Sequence, residues 1–276
     1  MLNLREKVTV VTGASRGAGR AIALVLGEAG ATVYVTGRST RDGPTTDGLP
    51  GTIDDTAEAV IARGGVGVAV RCNHTDDAQV QNLFERVGRD QGRLDLLVNN
   101  AWGGYEQHDP RQFVKPFWEQ PLRHWDGMFT AGVRAHLVTS RFAVPLMRPG
   151  SLIVCTTAWD RERYLRNLFY DVAKAAVNRL AWGMARELRP HGIAAVALAP
   201  GFMRTERVLA AHAQKPFDLS VTESPEYLGR AVAALASDSG VMSKSGRVLT
   251  VGELAREYGF TDVDGRQPPP FELPGD

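Results

Sequence analysis

Only two cysteines occur in 276 residues, Cys72 and Cys155. Each closes a probable strand, so both read as small buried hydrophobes in a reducing compartment, and no disulfide framework is expected. No Cys/His spacing suits zinc, and no metal is expected. Neither sign of charge dominates: 32 Lys and Arg against 31 Asp and Glu leave a net charge of +1. That balance offers no electrostatic case for nucleic acid or an anionic membrane as the main partner. No apolar run approaches the roughly 20 residues that span a bilayer. The opening MLNLREKVTV carries charge and enters a strand at once, so no signal peptide is expected there. The remainder, 43% hydrophobic and 23% charged, suits a soluble core-forming protein, and a cytoplasmic enzyme or binding protein is expected.

Apolar strand-like runs alternate with helical patterns along the chain. Strands are predicted over 8–11, 32–36, 66–70, 94–98, 151–156, 193–199 and 247–251. Beyond a first helix after the opening strand, helices are predicted over 53–62, 75–89, 122–147, 167–188 and 225–236. Near-continuous apolar strands separated by helices indicate a parallel sheet covered on both faces. The expected fold class is α/β: a doubly wound, mostly parallel sheet flanked by helices (a Rossmann fold), in a single domain over 1–276. An insertion around 102–121 carries Trp102, Tyr105, Phe113, Phe117 and Trp118; pocket wall, oligomer contact and plain packing all suit it. Residues 202–223 are mixed and could cover a pocket. The Pro- and Gly-rich tail from about Asp262 is expected to be irregular.

The densest signal is VTVVTGASRGAGRAIALVLGEA, Val8 to Ala29. A short apolar run breaks into a loop with Gly13, Gly17 and Gly19. Ala21, Ile22, Val25, Leu26 and Ala29 then recur at helical spacing. Glycine allows the tight turn and the approach of a pyrophosphate to the backbone. The helix start adds unpaired N–H groups and a positive dipole end. Gly13, Ser15, Arg16, Gly17, Ala18 and Gly19 are therefore candidate dinucleotide contacts. Asn99, Asn100 and Ala101 follow the fourth strand, where doubly wound sheets collect ligands.

Tyr170 and Lys174 stand four apart on a predicted helix, hence on one face. A tyrosine titrates near pH ~10, and a nearby ammonium favours its phenolate. A fall of about two to three units, roughly 3–4 kcal/mol, would make Tyr170 a workable general acid and base. Thr157 closes the fifth strand, thirteen residues earlier, and its hydroxyl could hold a substrate oxygen. Arg38 ends the second strand, where an acid would select the ribose of NAD and an arginine accommodates the 2′-phosphate of NADP. With Arg16 placed to close on the same phosphate, NADP(H) is expected in preference to NAD(H).

TGASRGAG at 12–19, NNA at 99–101, YDVAK at 170–174 and PG at 200–201, in this order, resemble the short-chain dehydrogenase/reductase family. Further stretches, including KAAVNRLAWGMARELRPHGI and LAREYGFTDVDGR, extend the likeness to one subgroup over nearly the whole chain. The resemblance implies that Tyr170 is the catalytic acid/base and that Lys174 binds the nicotinamide ribose and depresses the tyrosine pKa. It implies that Thr157 replaces the usual serine. It also implies that Asn99 to Ala101 line the adenine and ribose side, and that Pro200, Gly201 and Thr205 shape the nicotinamide pocket. Three departures stand out. Gly132 takes the position of the catalytic asparagine. Asn73 replaces the acid after the third strand and could bond adenine through its amide. NNAW replaces NNAG, which brings Trp102 to the site.

The reading that follows is an NADP(H)-dependent oxidoreductase of a small-molecule carbonyl or alcohol, working through Thr157, Tyr170 and Lys174. The family habit of pairing long helices implies a homodimer or homotetramer. A non-catalytic NADP(H)-binding sensor or scaffold is the alternative, supported by Gly132 and opposed by the retained Tyr170 and Lys174.

Overall fold

The computed structural model describes residues 2–106, 110–159, 161 and 163–273. Residues 107–109 of the expected insertion and 274–276 of the tail lie outside the described residues. Strands β1 (Val8–Val11), β2 (Thr32–Gly37), β3 (Val66–Arg71), β4 (Leu94–Asn99), β5 (Met147–Thr156), β6 (Ala194–Ala199) and β7 (Val248–Thr250) form one sheet. Its order is β3-β2-β1-β4-β5-β6-β7, and every neighbouring pair is parallel. The chain winds from β1 to one edge, returns, and winds from β4 to the other. That reversal opens a crevice at the carboxyl ends of β1 and β4, the ligand position of this architecture.

Register explains why the strands read as unbroken apolar runs. Val10, Tyr34, Leu97, Ile153 and Ala195 form one row across the sheet. They pack beneath it against α3 (Asp77–Gln91), α6 (Ala135–Ala143) and α7 (Leu168–Leu188). The adjacent row, Val11, Val35, Val98, Val154 and Val196, points the other way. It meets α1 (Gly17–Glu28), α2 (Ile53–Ala62), α9 (Pro225–Ser237) and α10 (Val251–Tyr258). Each buried valine, leucine or isoleucine in these rows contributes roughly 1.5–3 kcal/mol by leaving water. Only the edge strand departs, with Val66 exposed on β3.

The predicted helix over 122–147 is not continuous. It runs as α5 (Leu122–Met128), a π-helical segment (Phe129–Arg134), α6, and a 3₁₀ turn (Val144–Leu146). Pro145 lacks the N–H that would continue the α pattern. Met147 already belongs to β5 and pairs with Leu94, so Pro149 and Gly150 lie inside the strand's irregular first half. The last strand is shorter than predicted, because Val251 begins α10. The Thr250 hydroxyl accepts from the backbone N–H of Glu253 and donates to its carboxylate, which makes Thr250 the N-cap of α10. Two further helices complete the set: α4 (Pro110–Phe113) within the aromatic insertion, and α8 (Glu206–Gln214) within the mixed segment.

The tail from Asp262 forms no helix or strand, as expected, yet it is tied down. The buried Asp262 carboxylate accepts from the backbone N–H groups of Ser224 at 2.8 Å and Val263 at 2.7 Å. It also takes the Ser224 hydroxyl and an ion pair from Arg204 at 3.5 Å. Arg266 donates to the carbonyls of Ser220 and Thr222. The tail thereby reaches the crevice, which Phe271 and Leu273 help to line.

Candidate active site

Local chemistry builds the crevice floor first. Gly13 and Gly17 adopt φ of +64° and +56°, conformations costly for a side chain. A Cβ on Gly19 would lie 2.3 Å from the Gly13 carbonyl oxygen. The Thr12 hydroxyl accepts from the N–H groups of Asn100 at 2.8 Å and Ala101 at 2.9 Å. The Asn100 amide donates back to the carbonyls of Thr12 and Gly13. The glycine loop and the end of β4 are thus one rigid unit. At the N-terminus of α1 the Glu206 carboxylate accepts from Gly17 N–H at 3.0 Å. A negative group already seated there is the response expected of a helix start, whose N–H groups and dipole favour an anion.

A cavity of about 650 Å³ rises from this floor, within the range of cofactor and substrate sites. It gathers Gly13, Ser15, Arg16, Gly17, Ala18, Gly19, Arg38 and Asn73 at one end. Asn100, Ala101, Thr157, Tyr170, Lys174, Pro200, Gly201 and Thr205 complete its wall. Asn99 is the exception among the expected contacts. Its register partner is Cys155, and it points beneath the sheet. There its buried amide donates to Ser140 Oγ at 2.9 Å and approaches Cys155 Sγ. Side chains alternate along a strand, so Asn99 and Asn100 face opposite ways.

The two arginines are engaged. Arg38 pairs with Glu106. Arg16 donates to the carbonyls of Leu49, Pro50 and Gly51 and to Ser39 Oγ. It stitches the 49–51 loop to the glycine loop and is not the free cation expected from the sequence; burial holds its pKa below the usual range. Asn73 presents its Oδ1 to the Thr75 backbone and hydroxyl.

The other end is aromatic. Asn167 caps α7 by accepting from Tyr170 N–H at 2.9 Å, which fixes where the tyrosine enters the cleft. Trp102 meets the Tyr170 ring edge-on at 5.7 Å, Phe113 lies at 5.9 Å, and Tyr105 stacks at 6.4 Å. The Tyr170 and Tyr105 hydroxyls are hydrogen-bonded. Burial, then Tyr105, push the Tyr170 pKa well above its ordinary value. Burial lowers Lys174 to about 7. These directions are opposite to the expected phenolate stabilisation. The Lys174 ammonium lies 3.6 Å from the centre of the Trp102 ring and 5.4 Å from that of Tyr170, so the indole is its nearer aromatic neighbour. Thr157 is buried, and its hydroxyl donates to the carbonyls of Lys174 and Ala158 at 3.3 and 3.4 Å.

Several site residues went unread in the sequence. Glu206 and Glu106 had no motif. Glu223 accepts from Gly201 N–H at 2.9 Å and is raised to about 7 by burial. His74 bonds Thr36 Oγ1 at 2.8 Å, and burial lowers it to about 4. His136 donates to the Ala101 carbonyl at 3.2 Å and is lowered to about 3 by burial and the Lys174 charge. His136 follows Gly132 by one helical turn, the one signal that could have found it.

The chain matches the family model of the short chain dehydrogenases over residues 7–216. It is 42% identical over 278 aligned residues to mouse dehydrogenase/reductase SDR family member 1, covering 95% of this chain and 85% of that protein. Among solved structures it resembles a putative dehydrogenase from Xanthomonas campestris, with a TM-score of 0.82 and 28% identity, over 99% of this chain and 98% of that one. A Burkholderia cenocepacia short chain dehydrogenase in complex with NADP superposes with a TM-score of 0.73 and 28% identity, over 90% of this chain and 97% of that one.

Proposed function

The chain belongs to the short-chain dehydrogenase/reductase family of NAD(P)-dependent oxidoreductases, and on that premise we propose that it reduces an apolar aldehyde or ketone with NADPH, reversibly. The observation that carries the reading is the convergence of the glycine cradle, Tyr170, Lys174 and Thr157 on one cavity. The cofactor, once bound, supplies the hydride. Gly13, Gly17 and Gly19 leave room for its phosphates, and Gly17 N–H faces them at the α1 N-terminus. Arg38 meets the 2′-phosphate by exchanging Glu106 for it, which supports NADP(H) over NAD(H). Tyr170 and Thr157 hold the carbonyl oxygen, and Tyr170 gives it a proton as the carbon accepts hydride. Lys174 stabilises the phenolate left behind. Trp102, Tyr105, Phe113, Phe202, Met203 and Phe271 line the cavity and favour an apolar substrate.

No helix among the described residues is long and apolar enough to cross a membrane, and a cytoplasmic setting is part of the proposal. Leu137 on α6, with Val172 and Trp182 on α7, stays exposed, which supports pairing of these helices between copies in a homodimer or homotetramer.

The direct test is fluorescence titration with NADPH and NADH, followed by a carbonyl screen. NADPH should bind more tightly, and Tyr170→Phe should cut turnover at least ~100-fold with NADPH binding intact. Near-normal turnover in that variant would sink the assignment. Binding without turnover on any carbonyl would favour a non-catalytic sensor, the reading that Gly132 supports.

A further inference from the structure

We propose that Trp102 is the positioning residue for Lys174, its indole face holding the ammonium and its ring filling the space that Gly132 leaves. The proposal rests on the oxidoreductase reading above and adds a component to it. Three observations converge. The π-helical segment Phe129–Arg134 brings buried Gly132 against the indole. A Cβ there would lie 2.4 Å from Trp102 Cζ3. A Cβ on Gly104 would lie 2.8 Å from Trp102 Cε2. The indole therefore fills the space that two glycines leave, and a side chain at either position would push against it.

The indole faces Lys174. Lys174 Nζ lies 3.6 Å from the ring centre. The lysine is 7% exposed, and among the described residues its ammonium has no hydrogen-bond or ion-pair partner. A buried ammonium in that state would ordinarily lose its proton. The face of an indole carries negative potential and holds a cation better than any other aromatic. Trp102 also meets the Tyr170 ring edge-on, so one side chain sets the spacing of both catalytic groups. The other titratable groups on this assembly are Tyr170 on the same helix, Tyr105 beside it, and His136 across from it, whose proton affinity the Lys174 charge lowers. Trp102 and Gly132 thus form one device, the glycine leaving the space that the indole fills.

The test uses the full chain without cofactor, labelled with ¹³C-lysine; five lysines make assignment simple. In the wild type the Lys174 Hε–Cε signal should be displaced upfield by the indole ring current. In Trp102→Leu that displacement should vanish and the titration midpoint should fall by about one pH unit. Trp102→Phe should retain part of both, which covers the case in which the leucine variant does not fold. Gly132→Ala should copy Trp102→Leu by displacing the ring. In turnover, the acid limb of alcohol oxidation should move up by about one pH unit in Trp102→Leu, because a weaker ammonium stabilises the Tyr170 phenolate less. An undisplaced wild-type signal, or an unchanged midpoint in folded Trp102→Leu, would overturn the proposal. A displaced signal in a protein that turns over no carbonyl would instead defeat the oxidoreductase reading and leave the positioning geometry standing.

Discussion

The two ends of the cleft solve the same problem, a site built from strong polar groups, by different physics. At the phosphate end the protein's own charges occupy the groups a dinucleotide would use. Glu206 caps Gly17, Glu106 pairs with Arg38, and Arg207 pairs with Asp47 at 2.8 Å. Arg38 and Glu106 are 40% and 36% exposed, so the pair is screened and worth about 0–1 kcal/mol. A phosphate can displace such partners cheaply. At the aromatic end, Tyr170 and Lys174 lie against the Trp102 ring, which itself fills the space left by Gly132 and Gly104. There, geometry is enforced by packing, and a single added carbon must move something. The first end is adjustable and salt-sensitive; the second is stiff.

The contrast predicts a ranking of effects. The largest should come from the glycine loop, the stiff part of the phosphate end. Gly19→Val places a Cβ 2.3 Å from the Gly13 carbonyl and should remove measurable NADPH binding in a fluorescence titration while lowering the melting temperature. Next is the tail that closes the aromatic end. Asp262→Ala leaves Arg204 and the Ser224 N–H without their buried carboxylate and should cost roughly 3 kcal/mol in denaturant unfolding.

The pH dependence of stability comes third. His74 and His136 have folded pKa values below the unfolded value of about 6.5. Their contribution is therefore complete above pH ~6.5 and lost on acidification through the folded values. Glu223, raised to about 7, works the other way: the native state holds its proton first, so it favours folding as pH falls to ~4.5. Two histidines against one glutamate leave a net loss of roughly 1.4 kcal/mol per pH unit between about pH 6.5 and 4.5. Glu223→Gln should about double that slope in melts across the window.

Arg38→Ala should weaken NADPH by about 10-fold while leaving NADH nearly unchanged, the scale of one charge-assisted contact. The smallest effect belongs to the most easily displaced partner. Glu206→Gln removes the anion competing for Gly17 N–H and should tighten NADPH binding by about 3-fold, as one screened charge at a helix start implies. A calorimetric titration showing weaker binding would mean that Glu206 assists the cofactor and does not compete with it.

Local pattern carried the sheet a long way. Gly13, Gly17 and Gly19 could be read because strand, turn and helix are contiguous. Tyr170 and Lys174 could be read because four residues is one helical turn. Asn99 was misplaced because a two-residue motif does not say which of its members faces the crevice; register with Cys155 does. The partners of Arg16 went unread because those carbonyls come from the 49–51 loop, more than thirty residues away. The break at Phe129–Arg134 was hidden because Gly132 looks like a lost side chain until Trp102 is seen filling its space.

The order and apolar character of seven strands, the glycine cradle and the helix that carries Tyr170 were all decided by composition and short-range spacing. Those depend on backbone preferences and periodicity, which a chain expresses locally. What closes the site was decided only by folding: Trp102 on Lys174, Glu206 on the α1 N-terminus, and the tail held by Asp262. These contacts join residues 72 to 189 positions apart for the first two, and 38 for the tail's bond to Ser224. Their energies come from burial and charge in a particular arrangement of surfaces, and no local pattern encodes that arrangement.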